Sequence, residues 1–282
     1  ADQAVSRHLP LIEHVDVYAK GQILADPAEY ATDHLGGSPF TDFIARSLGI
    51  DLEGWHFGAR VDGAVAARMH LSWNIGTLRR GSHLAAAMAR MPGRSRRPIG
   101  LHLRIGRGGE GWYERLREWS TSTAAAAAAA TGVRTTETAP ITRRRYLAEL
   151  AASRIVFSPF GWGELCFRDF EAATFGAVLL KPDVGHLRTR PDIFEPMRTY
   201  VPVRWDLADL AERIAWIESH PAEADAIARN ATLRLRDWFR GGDAVHAVEN
   251  LVTQATLTHR GHAETAPGPE AVATTSDSFR GR

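Results

Sequence analysis

Two segments of the 282-residue chain combine glycine with charge in a way that suits phosphate chemistry. The first, Gly106-Arg-Gly-Gly-Glu-Gly111, matches GxGxxG between an apolar run (residues 99–105, IGLHLRI) and a helix-forming stretch that begins at Trp112. A loop of that kind brings backbone N–H groups and a helix N-terminus to a pyrophosphate. A dinucleotide site also wants an acidic residue about 20 positions further on, and residues 124–130 are all alanine there. Trp112-Tyr113 is also a bulky start for the helix of such a site. Three readings stay open for this loop. It is a plain βα turn, a loop lining some other phosphate ligand with Arg104 and Arg107 as anion contacts, or the NAD(P) or FAD loop of an oxidoreductase.

The second segment is richer: Ser158-Pro-Phe-Gly161-Trp-Gly163-Glu164-Leu-Cys-Phe-Arg168-Asp-Phe-Glu171-Ala172, closed by Gly176. Gly161 and Gly163 let the backbone approach a ligand closely. Arg168 falls at the start of the following helix, where unpaired N–H groups and the helix dipole favour an anion. Glu171 lies three residues on, on the same face, and can accept hydrogen bonds from hydroxyls of a ligand that Arg168 anchors. An anion clamp beside a hydroxyl-binding carboxylate is what a nucleotide sugar requires. The plainer alternative is an Arg168/Glu171 ion pair within one helix. Lys181 and His186 follow the next apolar run and are further candidates for ligand contact, whereas Asp192 and Glu195 read as ordinary loop charges. The Arg143–Arg145 run reads as a solvated helix start. No HExxH spacing, GxxxxGK[ST] loop or GxSxG elbow occurs in the chain.

The elements that must position these residues alternate between strands and helices after the proline-bounded stretch PGRSRRP (92–98), which reads as a solvated linker. Strands are predicted at 99–105, 133–136, 155–157, 177–180 and 200–203. Helices are predicted from Trp112 to Ala130, from an N-cap at Thr142 to about Ser153, from Phe167 to Phe175, from a cap at Asp206, and from Pro221 to Phe239. Strands separated by helices imply βαβ units and a parallel sheet, with ligands at the carboxyl ends of the strands. The seven alanines read as a low-complexity insertion that extends the first of these helices by propensity alone. Further upstream, residues 8–24 fit helix and strand equally well. Residues 32–63 read as loops around a short helix at 41–48. Beyond Gly241 the periodicity fades, and 260–282 has the composition of a disordered tail.

Composition narrows the classes. With 34 basic against 33 acidic residues the formal net charge is +1, which argues against a nucleic-acid binder. Lys20 and Lys181 are the only lysines, so anion recognition here falls mainly to arginine, whose planar fork suits bidentate phosphate contacts. The single cysteine, Cys166, excludes an intrachain disulfide or a multi-cysteine zinc site and suits a reducing, cytoplasmic setting. No run approaches the roughly 18 apolar residues of a membrane span, although peripheral membrane association stays open.

The stretch SRIVFSPFGWGELCFRDFEAATFGAVLLKPDVGHL (153–187), followed by YVPVRWDL, resembles the nucleotide-sugar domain of bacterial group 1-type glycosyltransferases, and its Arg-x-x-Glu-Ala is similar to the exostosin-like pattern. The likeness extends over about residues 99–240, more weakly to 14–30 and 71–76. It implies an α/β, GT-B-like fold of two Rossmann-like domains with parallel sheets. On that reading residues 1–98 are an incomplete or reduced acceptor-side domain, 99–240 bind the nucleotide sugar, and 241–282 are an extension. It also implies a nucleotide-diphosphate sugar as donor, a glycan, lipid-linked or protein acceptor, and no required metal. By this likeness Glu171 matches the glutamate that holds the donor's ribose. Glu164, with Gly161 and Gly163, matches the segment facing the donor sugar and phosphates. Arg168 and Arg104 would neutralise the leaving diphosphate. The family pattern has seven residues between its two glutamates and this chain has six between Glu164 and Glu171, which leaves a retaining or inverting outcome undecided. An inverting base would come from the first part of the chain, where His70, Asn74 and His83 are the candidates. A non-catalytic nucleotide-sugar-binding remnant is the alternative to an enzyme.

Overall fold

The computed structural model describes residues 3–72, 96–106, 110–137 and 139–265. The N-terminal part resolves the ambiguous stretch 8–24 into a single 3-10 helix, Leu9–His14, and two short strands, β1 (Ala19–Lys20) and β2 (Gln22–Leu24). Helix α1 (Pro39–Ser47) starts earlier than its apolar spacing suggests. Ser38 accepts a hydrogen bond from the Thr41 amide at 3.1 Å and Pro39 opens the first turn, so the Ser-Pro pair that reads as a loop is in fact the cap. After α2 (Gly63–Ala66), β3 (His70–Leu71) pairs with β1 in parallel.

The rest of the chain is built on β4 (Ile99–His102), α3 (Trp112–Ala130), α4 (Arg143–Ala151), β5 (Ser153–Phe157), α5 (Phe167–Thr174) and β6 (Val178–Pro182). It continues through β7 (Leu187–Thr189), β8 (Val201–Val203), α6 (Leu210–Ser219), α7 (Pro221–Arg240) and α8 (Asp243–Thr265). Strands β4, β5, β6 and β8 form one parallel sheet in that order. Successive residues of a strand point to opposite faces, and both faces are apolar. Ile155, Phe157, Val178 and Leu180 join α3 and α6 in one core. Val156 and Leu179 join Leu150, Phe170 and Leu235 in the other. This is the Rossmann-like α/β architecture expected from the alternating elements.

Two details of the sheet depart from the predicted strands. β4 ends at His102 rather than at 105, because the Leu103 amide turns to the Thr136 hydroxyl at 2.9 Å. The strand predicted at 133–136 is reduced to one parallel bridge, Leu101 with Thr135. That bridge places the segment on the outer edge of β4, since β5 occupies the other side. The chain therefore moves outward from β4 through α3, then back across to β5 through α4. β4 and β5 flank the topological switch point, where open α/β sheets bind ligands.

Other expectations are corrected. The alanine run is no insertion: Ala124, Ala127 and Ala128 are buried in the α3–α6 core. Asp206 does not cap α6, whose N-cap is Asp209. Asp206 instead accepts from the Ala208 amide and pairs with Arg204 at 2.6 Å. Arg97, read as part of a solvated linker, is buried and donates to the Ser153 carbonyl at 2.9 Å. Residues 243–265 form a helix where fading periodicity suggests a tail, and 266–282 lie outside the described residues.

The N-terminal part packs directly on this scaffold. β2 pairs antiparallel with β7, the Ala25 amide donates to the His186 carbonyl at 2.8 Å, and Phe40 and Ile44 share a core with Trp112 and Phe160. Among the described residues no helix is long and apolar enough to cross a membrane.

Candidate active site

At the switch point the loops after β4 and β5 diverge around a cavity of about 130 Å³. One wall is Ile105, Gly106, Tyr113 and Arg117. The other is Phe160, Gly161, Trp162, Gly163, Cys166 and Arg168. Gly106 of the first glycine-rich segment and Gly161 and Gly163 of the second thus line one cavity. Arg107, Gly108 and Gly109 lie outside the described residues. Gly161 donates to the Gly163 carbonyl at 3.0 Å, folding the second loop tightly enough to bring its backbone to the cavity. The Arg117 guanidinium sits 3.9 Å over the Tyr113 ring, so a cation and an aromatic face are presented together.

Arg168 occupies the first turn of α5, as its spacing suggests. Its Nη2 donates to the Arg104 carbonyl at 2.6 Å, and its Nε is buried with no hydrogen-bond partner among the described residues. A buried N–H without an acceptor costs about 1–3 kcal/mol. Tyr146 lies within hydrogen-bonding reach of Arg168, and burial, first, pushes its phenol well up. It donates to Glu171 Oε2 at 2.7 Å, while Arg143 donates to Glu171 Oε1 at 2.6 Å. Glu171 is therefore buried and held from α4, and Arg143 is solvent-exposed, as its run suggests, while pairing with Glu171.

Several site expectations land elsewhere. Arg104 is nine-tenths buried and paired through Nε and Nη2 with Glu149, and it also donates to the Ala139 carbonyl. The hydrogen bond from Arg104 holds the Glu149 carboxyl below its usual range. A guanidinium so committed is neutralised locally and is no free diphosphate contact. Lys181 is fully buried, 3.2 Å from Asp169, with its Nζ donating to the Glu164 carbonyl at 2.6 Å. Asp169 in turn accepts from the Cys166 amide at 2.9 Å, so the pair caps α5 instead of facing a ligand. Glu164 is fully buried, and its carboxylate turns to Gln22 of β2 at 3.2 Å and to His186 at 3.9 Å, away from the place expected beside a donor sugar. His186 packs edge-on against Trp205. Ser158 is buried with its Oγ 3.3 Å from Cys166 Sγ. Of the base candidates, His70 lies in β3, while Asn74 and His83 lie outside the described residues.

The profile of a family described as glycosyl transferase-like matches residues 79–251, more than half of the chain. The chain belongs to this glycosyl transferase-like family. The match contains the whole four-stranded sheet and both walls of the cavity. No curated protein matches the chain. For a glycosyl transferase-like protein the side chains that sequence reasoning missed are Tyr113 and Arg117. They stand four residues apart at the start of α3, so both project from one face toward the cavity. That spacing was the available signal. A second omission is His102, the last residue of β4, fully buried with both ring nitrogens unpartnered among the described residues. Burial, with Arg168 and Arg104 nearby, drives its pKa down to about 3, so it is a neutral ring beneath the cation cluster. Among the described residues no group of three His, Cys, Asp or Glu side chains converges as a metal site.

Proposed function

We propose that the chain is a hexosyltransferase that moves a sugar from a nucleotide-diphosphate sugar to a glycan, lipid-linked or protein acceptor. In this reading it serves polysaccharide assembly in a bacterial cytoplasm and uses no metal. The observation that carries the reading is Arg168 in one wall of the switch-point cavity, with Arg117 on the facing wall. Both guanidinium groups suit the two phosphates of a nucleoside diphosphate. The bond between the anomeric carbon and the diphosphate oxygen breaks, an acceptor oxygen bonds to that carbon, and the acceptor proton leaves to a base. Charge builds on the departing diphosphate, so donors fixed beforehand at Arg168, Arg117 and the first amides of α5 stabilise the transition state more than the ground state. Glu171, which the family resemblance matches to the ribose-binding glutamate, is assigned to the ribose hydroxyls as their acceptor.

Turnover of a sugar-nucleotide panel, with released nucleoside diphosphate as the readout, tests this. Wild-type protein is expected to release diphosphate from at least one donor, faster in the presence of acceptor. Arg168→Ala is expected to lose about 10²–10³ in kcat, the size found for removing one preorganised donor. Equal turnover by the variant, or no turnover with any donor, would sink the proposal.

A further inference from the structure

Trp162, in the wall of the cavity, belongs to an aromatic cluster that reaches the surface. Trp55, from the N-terminal part of the chain, lies edge-on against Trp162 with ring centroids 4.9 Å apart, and it stacks with Phe57 at 5.9 Å. Trp162 also meets Tyr113 edge-on at 5.2 Å. The result is an aromatic cluster that joins Tyr113 and Trp162 of the cavity wall to Trp55, which is 42% exposed. Its presentation is built in. Trp55 closes a tight turn in which Glu53 (φ 55°) and Gly54 (φ 73°) both adopt left-handed backbone, and its amide donates to the Leu52 carbonyl at 2.9 Å. Glu53 is an unfavoured residue for that conformation. It is tied down by Arg115 of α3 at 2.9 Å, and Arg115 also donates to the Asp51 carbonyl at 2.7 Å. The turn is thus fastened to the helix that carries Tyr113.

A large exposed indole, packed against a residue of the cavity wall, has a chemistry of its own. The face of the ring is electron-rich, and the C–H bonds on one side of a pyranose ring are slightly positive. The two pack flat on each other, and the sugar's hydroxyls stay in water at the edges. Nucleotide phosphates would be drawn to the guanidinium walls, while an uncharged ring is the partner that the indole fits. We propose that Trp55, backed by Trp162, is the acceptor subsite and takes the terminal pyranose of a glycan acceptor. The proposal rests on the glycosyl-transfer reading and narrows it to a glycan among the three acceptor classes.

The test uses the full chain on a printed array of pyranoside-terminated oligosaccharides, with acyclic alditols as controls and a saturating nucleoside diphosphate present throughout. Wild-type protein is expected to bind a subset of the oligosaccharides and none of the alditols. Trp55→Ala is expected to lose at least tenfold in that binding and Trp55→Phe to keep most of it, while the nucleoside diphosphate Kd of both stays within twofold of wild type. Unchanged glycan binding by Trp55→Ala, capture of alditols as well as pyranosides, or no glycan bound by wild type would each overturn the proposal. So would a parallel fall in diphosphate affinity, since Trp55 would then serve the donor side. Failure of wild type to bind any nucleoside diphosphate is a separate result, and it strikes the transfer reading itself.

Discussion

Charge at this site is arranged in partnered sets, and the exceptions mark where function should be sought. Lys181 and Asp169 are both fully buried, so removing one partner leaves an uncompensated charge. Lys181→Met is expected to cost about 3–5 kcal/mol in urea unfolding, with part of the loss recovered when Asp169→Asn is added. A cost under 1 kcal/mol would show the pair to be dispensable. His102 makes a different prediction. Its folded pKa, about 3, lies below the ordinary 6.5, so the unfolded chain takes up a proton that the folded one refuses. Stability is therefore whole above pH 6.5 and falls as the pH drops toward 3, by at most about 1.4 kcal/mol per unit. His102→Leu is expected to flatten that limb, and an unchanged pH profile of the urea midpoint would contradict it. At this scale the sequence placed Arg168 and Glu171 three residues apart on one short helix, because that spacing is local information. It did not show that Lys181 belongs to Asp169, Arg104 to Glu149 and Glu171 to Arg143. Those pairs join residues distant in the chain and exist only once the sheet has formed.

The elements were legible wherever local pattern and tertiary context agree. α3, α4 and α7 lie close to their predicted bounds, with Thr142 capping α4 as expected. The alanine run shows the limit of that reading. Composition suggested a segment that packs on nothing, yet small side chains are what allow α3 to lie close against α6. Ala124→Leu, at a fully buried position, is expected to destabilise the protein by about 1–3 kcal/mol through overpacking, whereas Ala125→Leu on the exposed side changes it by less than about 0.5 kcal/mol. Equal urea midpoints for the two variants would show that α3 does not pack as described. α8 went unread because Val245, Val248 and Val252 are exposed, so no buried face imposes a periodicity.

For the whole molecule, the informative feature is the reversal of direction in the sheet. Alternating strands and helices pointed to a parallel sheet, but strand order cannot be read from pattern. Leu101 bridging Thr135 places the extended segment that follows β4 outside it, and this opens the switch point between β4 and β5. Gly106, from the first of two glycine loops that look like rival nucleotide sites, then lines the same cavity as Gly161 and Gly163 of the second. The N-terminal part packs beside them, through β2 on β7 and through Trp55 on Trp162. The most direct test is calorimetry of the full chain with UDP, GDP, dTDP and NAD, repeated on Arg168→Ala. At least one nucleoside diphosphate is expected to bind, with affinity reduced tenfold or more in the variant, about 1.4 kcal/mol, and NAD is expected to give no heat. Binding of NAD with no binding of any nucleoside diphosphate would contradict a sugar-nucleotide site at the switch point.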